Sequence, residues 1–148
     1  MRTGVRIGID VGRARVGVAR SDPQGTMAVP VVTLARESAL AELAQLAAEY
    51  EPIEFVCGLP LGLSGGTTAS TDDARSFAHE LVALTGVPVR LVDERLTTVT
   101  AQAALHDASH SAKSSRAVID QVAATVLLDT ALDAERAGNT LGEMVGES

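Results

Sequence analysis

The opening run VRIGIDVGRARVGVAR, residues 5–20, constrains the fold more than any other feature. Val5, Ile7, Ile9 and Val11 alternate with polar or small residues, the period of a strand with one apolar face. A second such run, RVGVAR, occupies residues 15–20. Only Gly12, Arg13 and Ala14 separate the two, so they read as an antiparallel hairpin joined by a tight turn. Residues 26–34, TMAVPVVTL, read as a third strand, in which Pro30 marks an edge or a bend.

The period then changes. Leu40, Leu43, Leu46 and Ala47 recur at helical spacing, predicting a helix over residues 35–50 that Pro52 ends. Residues 53–57 form a short apolar run of the kind found in the middle of a sheet. Residues 58–71 are a Gly/Ser/Thr-rich loop. A second helix starts at Asp72 or a nearby Thr, carries Phe77, Leu81 and Leu84, and stops at Gly86. Residues 87–92 make a fifth strand. Thr97 or Thr98 caps a third helix to about His106, and residues 107–113 are a polar connection. Ser114 or Ser115 caps a last helix with Val118, Ile119, Val122, Val126 and Leu127 on its apolar positions. Gly138–Asn139 ends it near Ala137. This order implies an α/β fold: a five-stranded mixed sheet with helices on both faces. One domain over residues 1–138 is expected, with 139–148 as a flexible tail.

Composition narrows the class. The chain has 148 residues, of which 46% are hydrophobic and 21% charged, a globular profile for one domain. The apolar runs are too short to cross a bilayer, and no signal-peptide core precedes the first strand. The single Cys57 cannot form an internal disulfide, which suits a reducing, cytoplasmic setting. Aromatics are only 2%, so base stacking on aromatic platforms is disfavoured. The formal net charge of −7 argues against tight non-specific binding of nucleic acid. That charge is uneven, however. From Asp129 onward there are five acids against Arg136 alone, whereas Arg13, Arg15 and Arg20 follow Asp10, and Lys113 and Arg116 precede Asp120. Acids lying apart from the site are screened over a Debye length of about 8 Å.

In open α/β sheets, ligands gather at the carboxyl ends of strands. Asp10 falls near the end of the first strand, and Asp93–Glu94 directly follow the fifth. Asp120 lies in the apolar stretch AVIDQVAATVLL, with Ala123 and Ala124 small enough to let that helix approach the sheet. Three carboxylates could thus converge. Two of them 4 Å apart repel by about 4 kcal/mol at an effective dielectric near 20. Such a cluster needs a shared proton or a cation. All-oxygen ligands favour Mg²⁺ or Mn²⁺, and a pair of such ions suits phosphodiester hydrolysis.

Four segments carry a family resemblance: GIDVGRARVGVARSDP, VCGLPLGLSGG, LVDERLTTVTAQAAL and AVIDQVAATVLLDTAL. Together, over about residues 5–135, they resemble the YqgF/RuvX family of pre-16S rRNA nucleases and Holliday-junction-resolvase-like proteins. The resemblance implies an RNase H-like fold, with the acidic residues on Asp10, Glu94 and Asp120 as catalytic groups and ligands of two Mg²⁺ or Mn²⁺ ions. It implies an endonuclease that processes the 5′ end of precursor 16S rRNA, with pre-ribosomal particles as partners. The alternatives are a resolvase acting on branched DNA and a non-catalytic nucleic-acid or ribosome-associated module. The chain would act as a monomer or a homodimer. One departure is visible: the family often has Lys-Arg after the first turn, and Ala14-Arg15 stands here.

Arg13, Arg15, Arg20, Arg95, Lys113 and Arg116 are the candidate substrate-binding cations, as a basic rim around the acids. Arg95 has a second reading, as a counter-charge to its acidic neighbours, and Asp93 is a possible additional ligand. Thr97 and Thr98 read as caps. The loop at 58–71 is open to two readings, a phosphate-backbone contact or a plain connection; it lacks the Gly-Lys-Ser/Thr of a nucleotide loop. A zinc site at His106 and His110 is disfavoured by the intervening polar residues. Cys57 reads as a buried strand residue. The actin and sugar-kinase class also places an Asp in its first hairpin, but it needs two such domains, and this chain has one copy.

Overall fold

A computed structural model describes residues 1–96 and 116–146. The strands are β1 (Arg6–Val11), β2 (Arg15–Ser21), β3 (Ala28–Ala35), β4 (Glu54–Leu59), β5 (Val89–Asp93) and β6 (Glu143–Val145). The helices are α1 (Ala39–Tyr50), α2 (Ala69–Thr85) and α3 (Arg116–Arg136). The sheet order is β3-β2-β1-β4-β5-β6. β1, β2 and β3 form an antiparallel meander, whereas β1, β4 and β5 are parallel. The two parallel crossings place the ends of β1, β4 and β5 side by side at one edge of the domain.

The sheet has six strands, one more than the sequence pattern predicts. The added strand comes from the stretch expected to be a flexible tail. Residues 143–145 pair antiparallel with β5, Leu91 opposite Glu143 and Val89 opposite Val145. Three residues carry too little periodicity to register as a strand, and the pairing is tertiary: it covers the open edge of β5. The predicted helix over residues 97–106, its Thr97 and Thr98 caps, the polar connection, His106, His110, and the Ser114 or Ser115 cap lie outside the described residues.

Strand alternation divides the core in two. Ile7, Ile9, Val16, Val18, Phe55, Cys57 and Leu91 face α1 and α2, packing on Leu43, Phe77 and Leu81. Ala19, Ala28, Val56 and Val92 face α3, packing on Ala124, Leu127, Leu128 and Leu132. The first layer holds the bulky side chains, each burial of a Leu or Phe stabilising by about 1.5–3 kcal/mol. The second layer is lined by small residues, so α3 lies close against the sheet. Of the two expected starts of α2 it is the nearby Thr that applies: Thr68 caps the helix and forms a reciprocal capping box with Thr71, which satisfies amides at its first turn. Gly86 ends α2 and Glu51, in the left-handed region, ends α1 ahead of Pro52.

At the opposite end of the parallel strands, a buried ionic network ties the chain together. Glu54 accepts from Arg90 Nε at 2.9 Å and from Arg2 Nη1 at 2.7 Å. Glu135 of α3 pairs with Arg2 and Arg6, and Arg90 Nη1 donates to the Leu141 carbonyl at 3.0 Å. Every buried charge there has a partner, so this end holds the start of the chain, three strands, α3 and residue 141 in register.

Candidate active site

The α3 face of the sheet is where the acids meet. Asp10 lies one position before the end of β1 and, two residues on from Gly8, faces α3. Glu94 opens a single 3₁₀ turn directly after β5. Asp120 lies in the second turn of α3, which runs beside β1 and β2. Asp10 and Glu94 share a hydrogen bond between their carboxyl groups. Such a contact requires one of the two to hold a proton. Asp10 is pushed up to about 7, first by burial, then by the charges of Glu94 and Asp120, and then by that hydrogen bond. Burial also raises Glu94, with the hydrogen bond to Asp10 opposing it and the nearby Asp93 charge adding to it.

Asp120 faces a different partner. Arg15 Nε donates to its Oδ2 at 2.8 Å. Its charge still reaches Asp10. Among the described residues, no three carboxylate, His or Cys groups are gathered into a closed cage. Asp10 and Glu94 form a contiguous pair, and Asp120 stands beside it on the Arg15 guanidinium.

Glycines set this spacing. A Cβ on Gly17 of β2 would stand 2.0 Å from the Asp120 carbonyl oxygen and 3.0 Å from its Cβ, so only glycine lets α3 bring Asp120 down onto the sheet. A Cβ on Gly58 of β4 would stand 2.6 Å from Glu94 Oε1, so the Glu94 carboxylate rests over a bare backbone. Neither residue figures among the sequence candidates. The available signal is a single glycine inside an apolar strand, which marks a close approach of another group. Of the two alanines flagged beside Asp120, Ala124 is fully buried against the sheet and Ala123 is partly buried.

The candidate cations divide. Arg15 is on the acid face. Arg95 is held by Asp93, Nη2 to Oδ2 at 2.7 Å, and its guanidinium lies against Gly65 of the β4–α2 loop. Asp93 is thereby kept below its ordinary carboxylate range, chiefly by this hydrogen bond. Arg13 lines a cleft with Arg36, Asp73 and the first residues of α2. Arg36 clamps Asp73 through two bonds of 2.8 Å. Arg20 is on the other face of the sheet: it pairs in register with Ile7, and its guanidinium stacks 5.2 Å from the Tyr50 ring centre. Strand alternation separates it from Arg15, which proximity in sequence conceals. Arg116 starts α3, and Lys113 lies outside the described residues. Cys57 is fully buried in the α1–α2 layer, and that burial pushes its thiol up, away from nucleophilic use.

Acids at the ends of the parallel strands β1 and β5, with β4 between them, and a third on a close-packed helix, on a sheet opened by an antiparallel meander, define an RNase H-like fold. The fold is similar to that of Thermus thermophilus RuvC in complex with Holliday junction substrate, at a TM-score of 0.66 and 15% identity over 95% of this chain and 99% of that one. A second Thermus thermophilus RuvC structure gives 0.60. The family model for RuvX, described as Holliday junction resolvase, matches residues 4–134, and the chain belongs to this family. Its relatives include proteins named "Putative pre-16S rRNA nuclease" from Leifsonia xyli subsp. xyli and Clavibacter sepedonicus. The first is 54% identical over 93% of this chain and 90% of the relative. The second is 50% identical over 98% and 93%.

Proposed function

We propose that this chain is a divalent-metal-dependent endonuclease that hydrolyses RNA phosphodiesters and trims the 5′ end of precursor 16S rRNA. The observation that carries the reading is the carboxyl–carboxyl contact of Asp10 and Glu94, in the field of Asp120. Burial and mutual repulsion disfavour the charged forms of this group, and oxygen donors of this kind suit a hard cation that replaces the shared proton. Asp10, Glu94 and Asp120 would hold the metal, Mg²⁺ or Mn²⁺. When bound, it supplies charge for the phosphoryl oxygens and an activated water.

The remaining work falls to the chain itself. Asp10 and Glu94 release their shared proton on loading, so binding strengthens as pH rises toward 7. Arg15 neutralises Asp120 and is the cation best placed to contact a phosphate flanking the cut. Arg95, oriented by Asp93 against the β4–α2 loop, and Arg13, at the cleft by the start of α2, extend the phosphate track, with Lys113 and Arg116 proposed to complete it. Arg20 is left out, since it serves the opposite face. Backbone-directed arginines account for substrate binding by a chain of net charge −7, because they are local.

The test is cleavage of a precursor 16S rRNA fragment and of a four-way DNA junction, side by side, with Mg²⁺, Mn²⁺ or EDTA. Metal-dependent cuts in the RNA 5′ leader are expected. Cleavage of the junction alone would reassign the substrate to branched DNA, and binding without cleavage of either would make the chain a nucleic-acid module.

A further inference from the structure

The loop between β4 and α2 contains the most exposed apolar side chain of the described residues, and it is not a slack connection. Leu61 is anchored against the α1–α2 core layer. Two residues later, Leu63 is fully exposed. Between these and the Thr68 cap, the Gly62 amide donates to the Gly66 carbonyl and the Gly65 amide to the Gly62 carbonyl, both at 2.8 Å. The Thr71 hydroxyl ties the base of the loop to the Pro60 carbonyl. The Arg95 guanidinium nitrogens lie 3.5 Å from where a Cβ on Gly65 would stand. The loop is therefore a closed finger, pinned at its base and along one side, with Leu63 at its tip.

Its position gives the finger meaning. β4 lies between β1 and β5, so the finger leaves the sheet between the strand ends that carry Asp10 and Glu94. Leu96, two residues past Glu94, is also exposed. Holding a leucine in water forgoes its burial, which a partner can return. Beside a phosphodiester site, the apolar surface available is the face of a nucleobase. In a chain with 2% aromatics, an aliphatic wedge takes the place of a stacking ring.

We propose that Leu63 inserts at a base step beside the scissile phosphate and thereby selects substrates whose strand is already unstacked there, at a boundary between paired and unpaired nucleotides. The inference rests on the nuclease reading and narrows its substrate to nucleic acid with a helical discontinuity. A continuous duplex would have to pay for unstacking first, and so would be a poor substrate.

The experiment uses two RNAs: a stem with 2-aminopurine at the paired–unpaired boundary, and a fully paired duplex of the same sequence. Binding is read by fluorescence with the Asp10→Asn chain, and cleavage with the otherwise native chain, each with Leu63, Leu63→Ser or Leu63→Met. Binding to the boundary RNA is expected to raise 2-aminopurine fluorescence with Leu63 and Leu63→Met, and not with Leu63→Ser. kcat/KM on the boundary RNA should fall about tenfold in Leu63→Ser, the loss of one buried side chain, and recover in Leu63→Met. The duplex should change little. Equal fluorescence and equal kcat/KM for Leu63 and Leu63→Ser on the boundary RNA would overturn the wedge and leave the nuclease reading standing. Failure of the native-loop chain to bind or cut either RNA would overturn both.

Discussion

Replacing Asp10 with asparagine should stabilise the metal-free protein at neutral pH while abolishing its activity. The Asp10 carboxyl is pushed up to about 7 from an ordinary value of 3.8, and the causes are burial and the negative charges of Glu94 and Asp120. An acid raised on folding binds more protons in the folded state. Its contribution is therefore complete below the unfolded value and is lost as pH rises from about 4 to about 7. At 1.36 kcal/mol per pH unit, ionising Asp10 costs the folded chain at most about 4 kcal/mol at pH 8, and about 3 kcal/mol of this is lost between pH 5 and pH 8. Relaxation of the three carboxylates lowers both figures, so roughly 2 kcal/mol is the working expectation for the second. Asparagine keeps the shape and can donate to Glu94 without the charge. Urea unfolding in EDTA at pH 5 and pH 8 measures this directly. Asp10→Asn should exceed the wild type at pH 8 and approach it at pH 5. A variant less stable than the wild type at pH 8, or an unchanged pH 5 to pH 8 difference, would rule out charge repulsion at Asp10.

Gly17→Ala should cut activity about 100-fold or more, since a Cβ standing 2.0 Å from the Asp120 carbonyl forces α3 outward and misplaces that carboxylate; single-turnover cleavage with circular dichroism as the folding control checks this. Gly58→Ala should weaken Mn²⁺ binding, seen by calorimetry, because the new methyl would displace Glu94. Mn²⁺ affinity of the unaltered chain should rise from pH 5.5 to pH 7.5 as the shared proton is released, and a flat profile in calorimetry would count against proton–metal competition. Arg15→Ala should weaken nucleic-acid binding and reduce the salt slope by about one unit. Arg136→Ala should do neither, because Arg136 bonds the Gly25 carbonyl at the far end of α3; equal effects in filter binding would mean that no localised rim exists.

The hairpin, the parallel strands and the last helix were legible because their periods are long and their ends are punctuated. The alternation in residues 5–11 fixes which side chains of β1 face α1 and α2, and thereby sends Asp10 to the opposite side. Apolar burial around Asp120 was readable in the same way. The pairing of Asp10 with Glu94 was not, since it depends on the parallel register of β1, β4 and β5. Nor was the partner of Arg15, which sits 105 residues away on α3. Arg20 shows the limit of reasoning by nearness: five residues from Arg15, it projects from the other face of the same strand. β6 was hidden because three residues pair only when β5 offers an edge. Gly17 and Gly58 carried a signal, a bare position inside an apolar strand, but what approaches them is a tertiary fact.

If the acid group holds a divalent cation for RNA cleavage, cutting must depend on both the cation and Asp10. End-labelled precursor 16S rRNA is incubated with the chain or with Asp10→Asn, across a Mg²⁺ titration that starts in EDTA. No cuts are expected in EDTA, specific cuts should appear with Mg²⁺ in the unaltered chain, and none should appear at any Mg²⁺ concentration in Asp10→Asn. Full cleavage in EDTA, or wild-type cleavage by Asp10→Asn, would contradict it.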